Sequence, residues 1–368
     1  MEKNTLQISY LQPYNGTKKS KLYFYDGSPD LVSVFKPGKS SAKKRLFITD
    51  GTTASLKAMQ DFSNCFDDGC CGSDFLLVLG SGEAYKNIES VLTIAKYALE
   101  NNLSRNDLFI AIGGGVICDI TAFAASIYKR GIEVHLVPTT LLSMTDAAIG
   151  GKTGCDFNNL KNPIGTFYPA KTIYYWTSFV QSLNDEQYNS GLAAAFRLSL
   201  VANKELYEIF KNQSQLIKNR NQEVINNIIK ACITTKAEIV KKDLTEKKER
   251  WLLNYANTFA YAYESIAGTS VVAHGQAIAW GIARQVELSF KKDYCKEALK
   301  KEIFSILEDF GWETNPIPSE VKGGGITERF IKTIMSSKSD KIQLLMLKDI
   351  QNANMEDIST ADLESVLK

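Results

Sequence analysis

The stretch LFIAIGGGVICDITAFAASIYK, residues 108–129, decides the fold class. Its first five residues are apolar and suit a buried strand, three glycines follow, and residues 116–129 continue in a helix-like pattern. A glycine turn between strand and helix lets the backbone approach a phosphate at the helix amino terminus, so Gly113, Gly114 and Gly115 are a candidate dinucleotide loop. The spacing is not GxGxxG, and a tight turn is the alternative reading.

Outward from that unit the pattern repeats. Short β-branched or apolar runs recur at 45–50, 75–79, 134–137 and 172–175, and apolar residues at 88, 91, 92, 95, 98 and 99 keep a helical period between two of them. Strand and helix in alternation predict a parallel α/β sheet. Sixteen of the 24 glycines fall within residues 1–180, and no proline occurs between Pro169 and Pro316. An all-helical second half is therefore predicted, with segments near 186–212, 220–242, 247–267, 274–291, 296–310 and 326–337. A length of 368 residues suits two domains, taken as 1–180 and 181–368 with the boundary near 176–185, the helical one completing an active-site cleft.

With 43 Lys+Arg against 41 Asp+Glu, the formal charge of +2 argues against nucleic acid or an anionic membrane as main partner. No long uncharged apolar run and no signal-like amino terminus occur, so a soluble, cytoplasmic protein is expected. Seven cysteines without a CxxC pair read as reduced thiols. Only two histidines exist, His135 and His274, so any metal site needing two imidazoles must use both. His135 lies in the strand-like EVHLVP and is read as a packed residue.

Gly150, Gly151, Lys152 and Thr153 form a glycine-basic cluster, and Lys161 with Asn162 another, both in loop-like sequence. Lysine beside flexible backbone suits phosphate, and a solvated loop lysine is the alternative. Only the final GKT of a P-loop is present, since residue 146 is Asp, so a Walker NTPase is unsupported. Over 250–264, Arg250, Asn254, Asn257, Tyr261 and Glu264 step by four, three, four and three, which places them on one face of a predicted helix. That stripe is either a wet face or a cleft lining. The lysine-rich patch 236–248 reads as a solvated helix end and loop.

Together GGGVICD, YKRG, VPTTLL, Asp146, GGKT, KNPIG, SGLA, RWLLNYANTF and AHGQAIA resemble 3-dehydroquinate synthase and the wider sugar phosphate cyclase family, in order and spacing from about residue 45 to 290. The resemblance implies an amino-terminal Rossmann-like NAD-binding domain, a helical carboxy-terminal domain and a homodimer, with an active relative as the other conceivable partner. It implies an NAD site of Asp50, Glu83, Lys86, Gly114, Gly115, Asp119, Thr139, Thr140 and Lys161. Groups for a phosphorylated polyol or sugar acid map to Asp146, Lys152, Asn162, Lys236, Arg250 and Asn254, with Arg130 reaching across from the partner subunit. A further family lysine would be Lys338 or Lys341.

The departures from the family fall on its metal and proton-transfer centre. GLAE becomes GLAA, with Ala194 at a ligand position; NLGHTFGH becomes NYANTFAY, with Asn257 and Tyr261 at the two histidine positions; HGE becomes HGQ, with Gln276; and Arg197 replaces a lysine. Only His274 remains of three ligands, so tight zinc is expected to be absent or weak. In the family, zinc polarises the hydroxyl that NAD oxidises, after which phosphate leaves and the carbocycle closes. Without it Tyr261 would have to accept a proton, its pKa lowered by Lys236, Arg197 or Arg250. Two readings follow: a zinc-independent cyclase, or a catalytically inactive binding or partner subunit. An ordinary synthase with a rebuilt metal site ranks below both.

Overall fold

The computed structural model describes residues 3–14, 17–38, 43–67, 72–158, 160–268, 271–336 and 342–368. Cys70, Cys71, Lys338 and Lys341 lie outside the described residues. Cys65, Cys118, Cys155, Cys232 and Cys295 are free thiols, and no helix among the described residues is long and apolar enough to cross a membrane. Two compact units form: one from residues up to Asn184 with Lys236–Thr245, the other from Asp185–Thr235 with Glu246–Lys368.

The first unit contains β1 Lys3–Tyr14, β2 Thr17–Tyr25, α1 Leu31–Phe35, β3 Arg45–Asp50, α2 Gly51–Ala54, α3 Lys57–Asp67, β4 Asp74–Leu79, α4 Ile88–Glu100, β5 Leu108–Gly113, α5 Gly115–Ile127, β6 Glu133–Pro138, β7 Lys152–Phe157, β8 Leu160–Phe167 and β9 Thr172–Trp176. A seven-stranded sheet runs in the order β1-β2-β9-β6-β5-β3-β4. The five strands expected from sequence form its parallel body. The strand β5 is buried along its whole length, as the centre of a sheet covered on both faces requires. Helix α5 is buried almost all round, from Ile117 through Ser126, which explains why its sequence shows no polar stripe.

Two hairpins depart from the sequence expectation. The first, β1 with β2, adds an antiparallel pair at one edge, where β2 runs parallel to β9. The second, β7 with β8, occupies the stretch read as loop. Its glycines misled that reading, because here they allow close strand pairing: a Cβ on Gly165 would stand 2.0 Å from Thr153 O, and one on Gly154 2.6 Å from Ile164 O.

The second unit contains α6 Asp185–Ala202, α7 Lys204–Asn212, α8 Ser214–Lys218, α9 Gln222–Lys242 up to Thr235, α10 Asn257–Ala267, α11 His274–Lys291, α12 Glu297–Asp309, α13 Ile326–Ser336, the hairpin β10 Ile342–Asp349 with β11 Asn352–Ile358, and α14 Thr360–Val366. It is helical, as expected, but for that one hairpin. Helix α11 holds the hairpin through Gln285 Nε2, which donates to Leu345 O at 2.5 Å, and Ser289 Oγ, which accepts from Leu347 N at 3.1 Å.

The helix predicted over 247–267 is broken. A 3-10 turn covers Glu249–Asn254, Tyr255 is extended, and Ala256 takes φ 69° before α10 begins. The cause is tertiary. Ala256 N donates to the buried Gln285 Oε1 at 3.0 Å, and Ala256 O crowds Gly281, where a Cβ would come within 2.6 Å. The polar stripe of the sequence is thus two groups: Arg250 and Asn254 before the break, and Asn257, Tyr261 and Glu264 after it. Glu264 is buried while Tyr261 is exposed, so the three do not share one wet face.

Two measurements check this architecture. At Gly275 a Cβ would stand 2.2 Å from Ser190 Cα, so Gly275→Ala should cost roughly 3 kcal/mol in urea unfolding, whereas Gly324→Ala, which meets nothing within 4 Å, should be near neutral. Second, His135 Nε2 meets Glu133 Oε1 at 3.0 Å, and Lys171 and Lys43 donate to Glu133 Oε2 at 2.7 and 3.2 Å. The His135 hydrogen bond, then the lysines, hold the Glu133 carboxyl below its ordinary 4.5. Burial pushes His135 below its ordinary 6.5, and it packs as expected from sequence. Both groups bind protons more weakly folded than unfolded. Stability should therefore be full above about pH 6.5 and fall on acidification, first through His135 and below 4.5 through Glu133. Glu133→Gln should flatten the lower part of an acid-unfolding curve.

Candidate functional site

In the first unit the turn from β5 into α5 is shaped by contacts rather than flexibility. A Cβ on Gly113 would lie 2.7 Å from Ile117 Cβ, and one on Gly114 3.1 Å from Thr140 Cγ2. Gly114 caps α5 without a side chain, so the amide groups of the first turn have no side-chain acceptor from the cap. Thr139 N donates to Gly113 O at 2.9 Å, tying the end of β6 to the turn. The Thr140 and Ser143 hydroxyls bond each other at 3.0 Å.

Charged side chains gather beside this turn. Lys86 Nζ meets Asp119 Oδ2 at 2.7 Å, and Lys161 Nζ meets Glu83 Oε1 at 3.1 Å. Burial works against the Lys86 ammonium, but Asp119 and then Glu83 outweigh it and raise its pKa, so Lys86 stays charged. Burial first, and Asp50 and Asp119 after it, push the Cys118 thiol up, which makes Cys118 an inert packed group between two carboxylates. Asp50 also caps α2, accepting from Thr53 N at 2.9 Å and Thr53 Oγ1 at 3.0 Å. Lys236 Nζ donates to the carboxylate and the backbone carbonyl of Asp146, which sits in a π-helical turn at Ser143–Ala147. Lys152, at the start of β7, and Asn162, in β8, are exposed.

Sequence reasoning missed Asp156. Its amide donates to Lys86 O at 2.7 Å, and its Oδ1 accepts from Asn162 N at 2.9 Å, holding Asn162 at φ 53°. One residue thus ties the Lys86 loop to the hairpin that carries Lys161 and Asn162. The available signal was a lone carboxylate between two lysine clusters, GGKT and KNPIG. Arg130 is exposed, at φ 65° next to Gly131.

In the second unit Arg197, buried on α6, donates from Nη1 to Asn257 Oδ1 at 2.6 Å. Asn257 Nδ2 donates to Asn254 Oδ1 at 3.2 Å, Asn254 Nδ2 donates to Glu246 Oε1, and buried Arg250 Nε stands 4.0 Å from Glu246 Oε2. His274, the first residue of α11, pairs through Nδ1 with buried Glu264 Oε1 at 3.1 Å. The Tyr261 ring stacks on His274 with centroids 6.2 Å apart. The structure thus joins Arg197, Asn254, Asn257 and Arg250 in one chain of contacts, and Tyr261, His274 and Glu264 in another.

A parallel sheet with a glycine-capped helix and paired lysines defines an α/β nucleotide-binding fold, and sequence comparison narrows it. The 3-dehydroquinate synthase N-terminal family model matches residues 76–190, and the 3-dehydroquinate synthase C-terminal model matches 191–339. The 3-dehydroquinate synthase of Thermodesulfovibrio yellowstonii is 32% identical over 332 residues, 89% of this chain and 90% of that protein. That of Shewanella pealeana is 32% identical over 329 residues, 88% and 89%. The chain belongs to the 3-dehydroquinate synthase family.

Solved structures agree in fold. A 2-epi-5-epi-valiolone synthase from Streptomyces hygroscopicus subsp. jinggangensis 5008, with NAD+ and Zn2+ bound, superposes at TM-score 0.83 with 22% identity over 98% of each chain. A 2-deoxy-scyllo-inosose synthase complexed with carbaglucose-6-phosphate, NAD+ and Co2+ gives 0.84 with 20% identity over 99% of each.

The residues present fit NAD, because Gly114 leaves room against Thr140 that a Cβ would fill and exposes the amide end of α5. They do not fit a divalent metal ion. Ala194 offers no donor atom, and the single Asn257 oxygen is taken by a guanidinium. An ion on its remaining lone pair would stand about 4 Å from that guanidinium, a repulsion of roughly 8 kcal/mol at an effective dielectric near 20. Among the described residues no three His, Cys, Asp or Glu gather as a metal site.

Asp119→Asn tests the buried pair. It leaves the Lys86 ammonium buried with its nearest counter-charge removed, and should cost about 3 kcal/mol in chemical denaturation. Lys86→Met/Asp119→Asn together should cost less than Asp119→Asn alone.

Proposed function

We propose that this chain binds NAD and a phosphorylated polyol or sugar acid and acts on it as a zinc-independent sugar phosphate cyclase, eliminating phosphate and forming a carbocycle. The observation that carries this reading is the intact set of paired charges in the first unit: Lys86 on Asp119, Lys161 on Glu83 and Lys236 on Asp146. A chain kept only as an inactive partner subunit has no need of three lysines held beside a glycine-capped helix, so catalysis is favoured over that alternative.

Asp50, Glu83, Lys86, Gly114, Gly115, Asp119, Thr139, Thr140 and Lys161 would hold NAD, which when bound supplies a hydride acceptor for a secondary hydroxyl. The amide end of α5 receives pyrophosphate, and Lys86 and Lys161 neutralise its charge while their own carboxylates hold them in place. Exposed Lys152 and Asn162 give the substrate phosphate a cation and an amide donor. Asp146 and Lys236 orient hydroxyl groups, the carboxylate accepting and the ammonium donating. Buried Arg250, placed by Glu246, offers a fixed donor for an anionic group, with Asn254 beside it. Tyr261, exposed and stacked on His274, is the group that moves a proton. Arg130 on a homodimer partner completes the phosphate contacts in this reading.

Calorimetry and phosphate release test it. NAD should bind to the full-length chain, and inorganic phosphate should be released from 3-deoxy-arabino-heptulosonate 7-phosphate or another sugar phosphate in the presence of NAD, unchanged by chelator. Tyr261→Phe should slow release about tenfold or more while leaving NAD affinity as it was. No NAD binding by the wild-type chain would overturn the proposal.

A further inference from the structure

The β7–β8 hairpin does not pair evenly, and the irregularity falls on Asp156. Cys155 stands opposite Ile164 and Phe157 opposite Leu160, so Asp156 alone faces the stretch of Lys161, Asn162 and Pro163. The surplus on β8 is a bulge, a device that re-aims side chains where strands border a site. Resting on the reading that this chain holds NAD through Lys161 and a sugar phosphate through Asn162, we infer that Asp156 is a positioning residue for both ligands: its carboxylate, seated on the Asn162 amide, sets the bulge and so keeps Lys161 on Glu83, in one frame with Lys86.

Three observations carry this. A bulge takes backbone groups out of the cross-strand ladder, and each needs another partner. Pro163 has no N–H, and the Asn162 N–H goes to Asp156 Oδ1 at 2.9 Å. Next, the backbone of Asp156 is engaged with a different segment: its amide donates to Lys86 O at 2.7 Å, and it forms a parallel bridge with Asn87. Asp156 thus holds the Lys86 loop with its main chain and β8 with its side chain. Last, Asn162 takes φ 53°, a left-handed conformation that asparagine tolerates and that the carboxylate fixes at this one point of the bulge.

The consequence reaches both lysines. Lys161 Nζ meets Glu83 Oε1 at 3.1 Å, Glu83 opens the short 3-10 turn that closes at Tyr85, and Lys86 follows with its ammonium on Asp119 at 2.7 Å. Lys161 and Lys86 therefore meet the same short segment, and Asp156 is the residue that bonds both to that segment and to the bulge. An ionised acceptor holds an amide more firmly than a neutral one, which suits a carboxylate to the task. In this role Asp156 touches neither ligand and moves no proton.

Two arms test the inference on the full-length chain. In calorimetry, Asp156→Ala should weaken NAD and 3-deoxy-arabino-heptulosonate 7-phosphate roughly tenfold each, because the Asn162 amide loses its acceptor and the bulge relaxes. Asp156→Asn, whose amide oxygen keeps the hydrogen bond, should stay close to the wild type. An Asp156→Ala affinity for NAD equal to that of the wild type overturns the inference, whatever the variant's melting temperature, since a merely structural residue would lower stability and leave affinity alone. The second arm needs no ligand: acetic anhydride labelling, read by peptide mass, should modify Lys161 roughly tenfold faster in Asp156→Ala than in the wild type. Lys44, whose Nζ donates to Asn101 O at 2.9 Å elsewhere in the first unit, should label alike in both and so report that the unit is folded. Unchanged Lys161 labelling in a folded variant overturns the inference. Asp156→Ser, polar but too short to reach the amide, decides in the same way if the alanine variant does not fold. If the wild type binds no NAD, the proposed function fails on its own, and the labelling arm still decides whether Asp156 places Lys161.

Discussion

The buried ion pair of Lys86 with Asp119 is the constraint around which the first unit is organised. The buried Lys86 ammonium needs that carboxylate, so the loop after β4 and the second turn of α5 stay together. The backbone of Lys86 is then available to Asp156, and Asp156 in turn holds the β7–β8 hairpin through Asn162 N. A chain of three contacts runs from a helix terminus to a glycine hairpin. The hairpin's lysine, Lys161, closes it by returning to Glu83 on the same loop. Side chains far apart in sequence are brought together by this closure, not by any single strand.

How much was legible depended on what kind of physics fixed each element. The five parallel strands were readable because burial on both faces forces short continuous apolar runs, and residues 108–113 are buried throughout. Residues 150–167 were not, because glycine is the residue both of loops and of close strand pairs, and only the opposite strand tells which. Local period predicted one helix across 250–264, yet the break at Ala256 is imposed by Gln285 and Gly281, about 25 to 30 positions away. Helical spacing alone cannot anticipate a backbone amide captured by a distant side chain.

The site residues divide the same way. Glycines and lysines beside a strand-to-helix turn made an anion-site candidate legible in the sequence, because phosphate recognition uses those types at such a place. Arg197 and Asn257 were visible only as departures from a family pattern. Their hydrogen bond joins residues 60 positions apart, which no local spacing reveals. Asp156 was invisible for a different reason: a positioning carboxylate has no spacing rule, only contacts.

In the proposed zinc-independent reading, no Lewis acid stands beside the substrate hydroxyl to raise its acidity. Proton removal in that reading falls to side chains. In the second unit those are Tyr261 and His274, whose rings lie against each other while the buried Glu264 carboxylate fixes the imidazole. A carboxylate on Nδ1 favours the tautomer that keeps its proton there and turns the Nε2 lone pair outward. A buried glutamate that could orient a metal ligand serves equally, in that reading, to orient a proton acceptor.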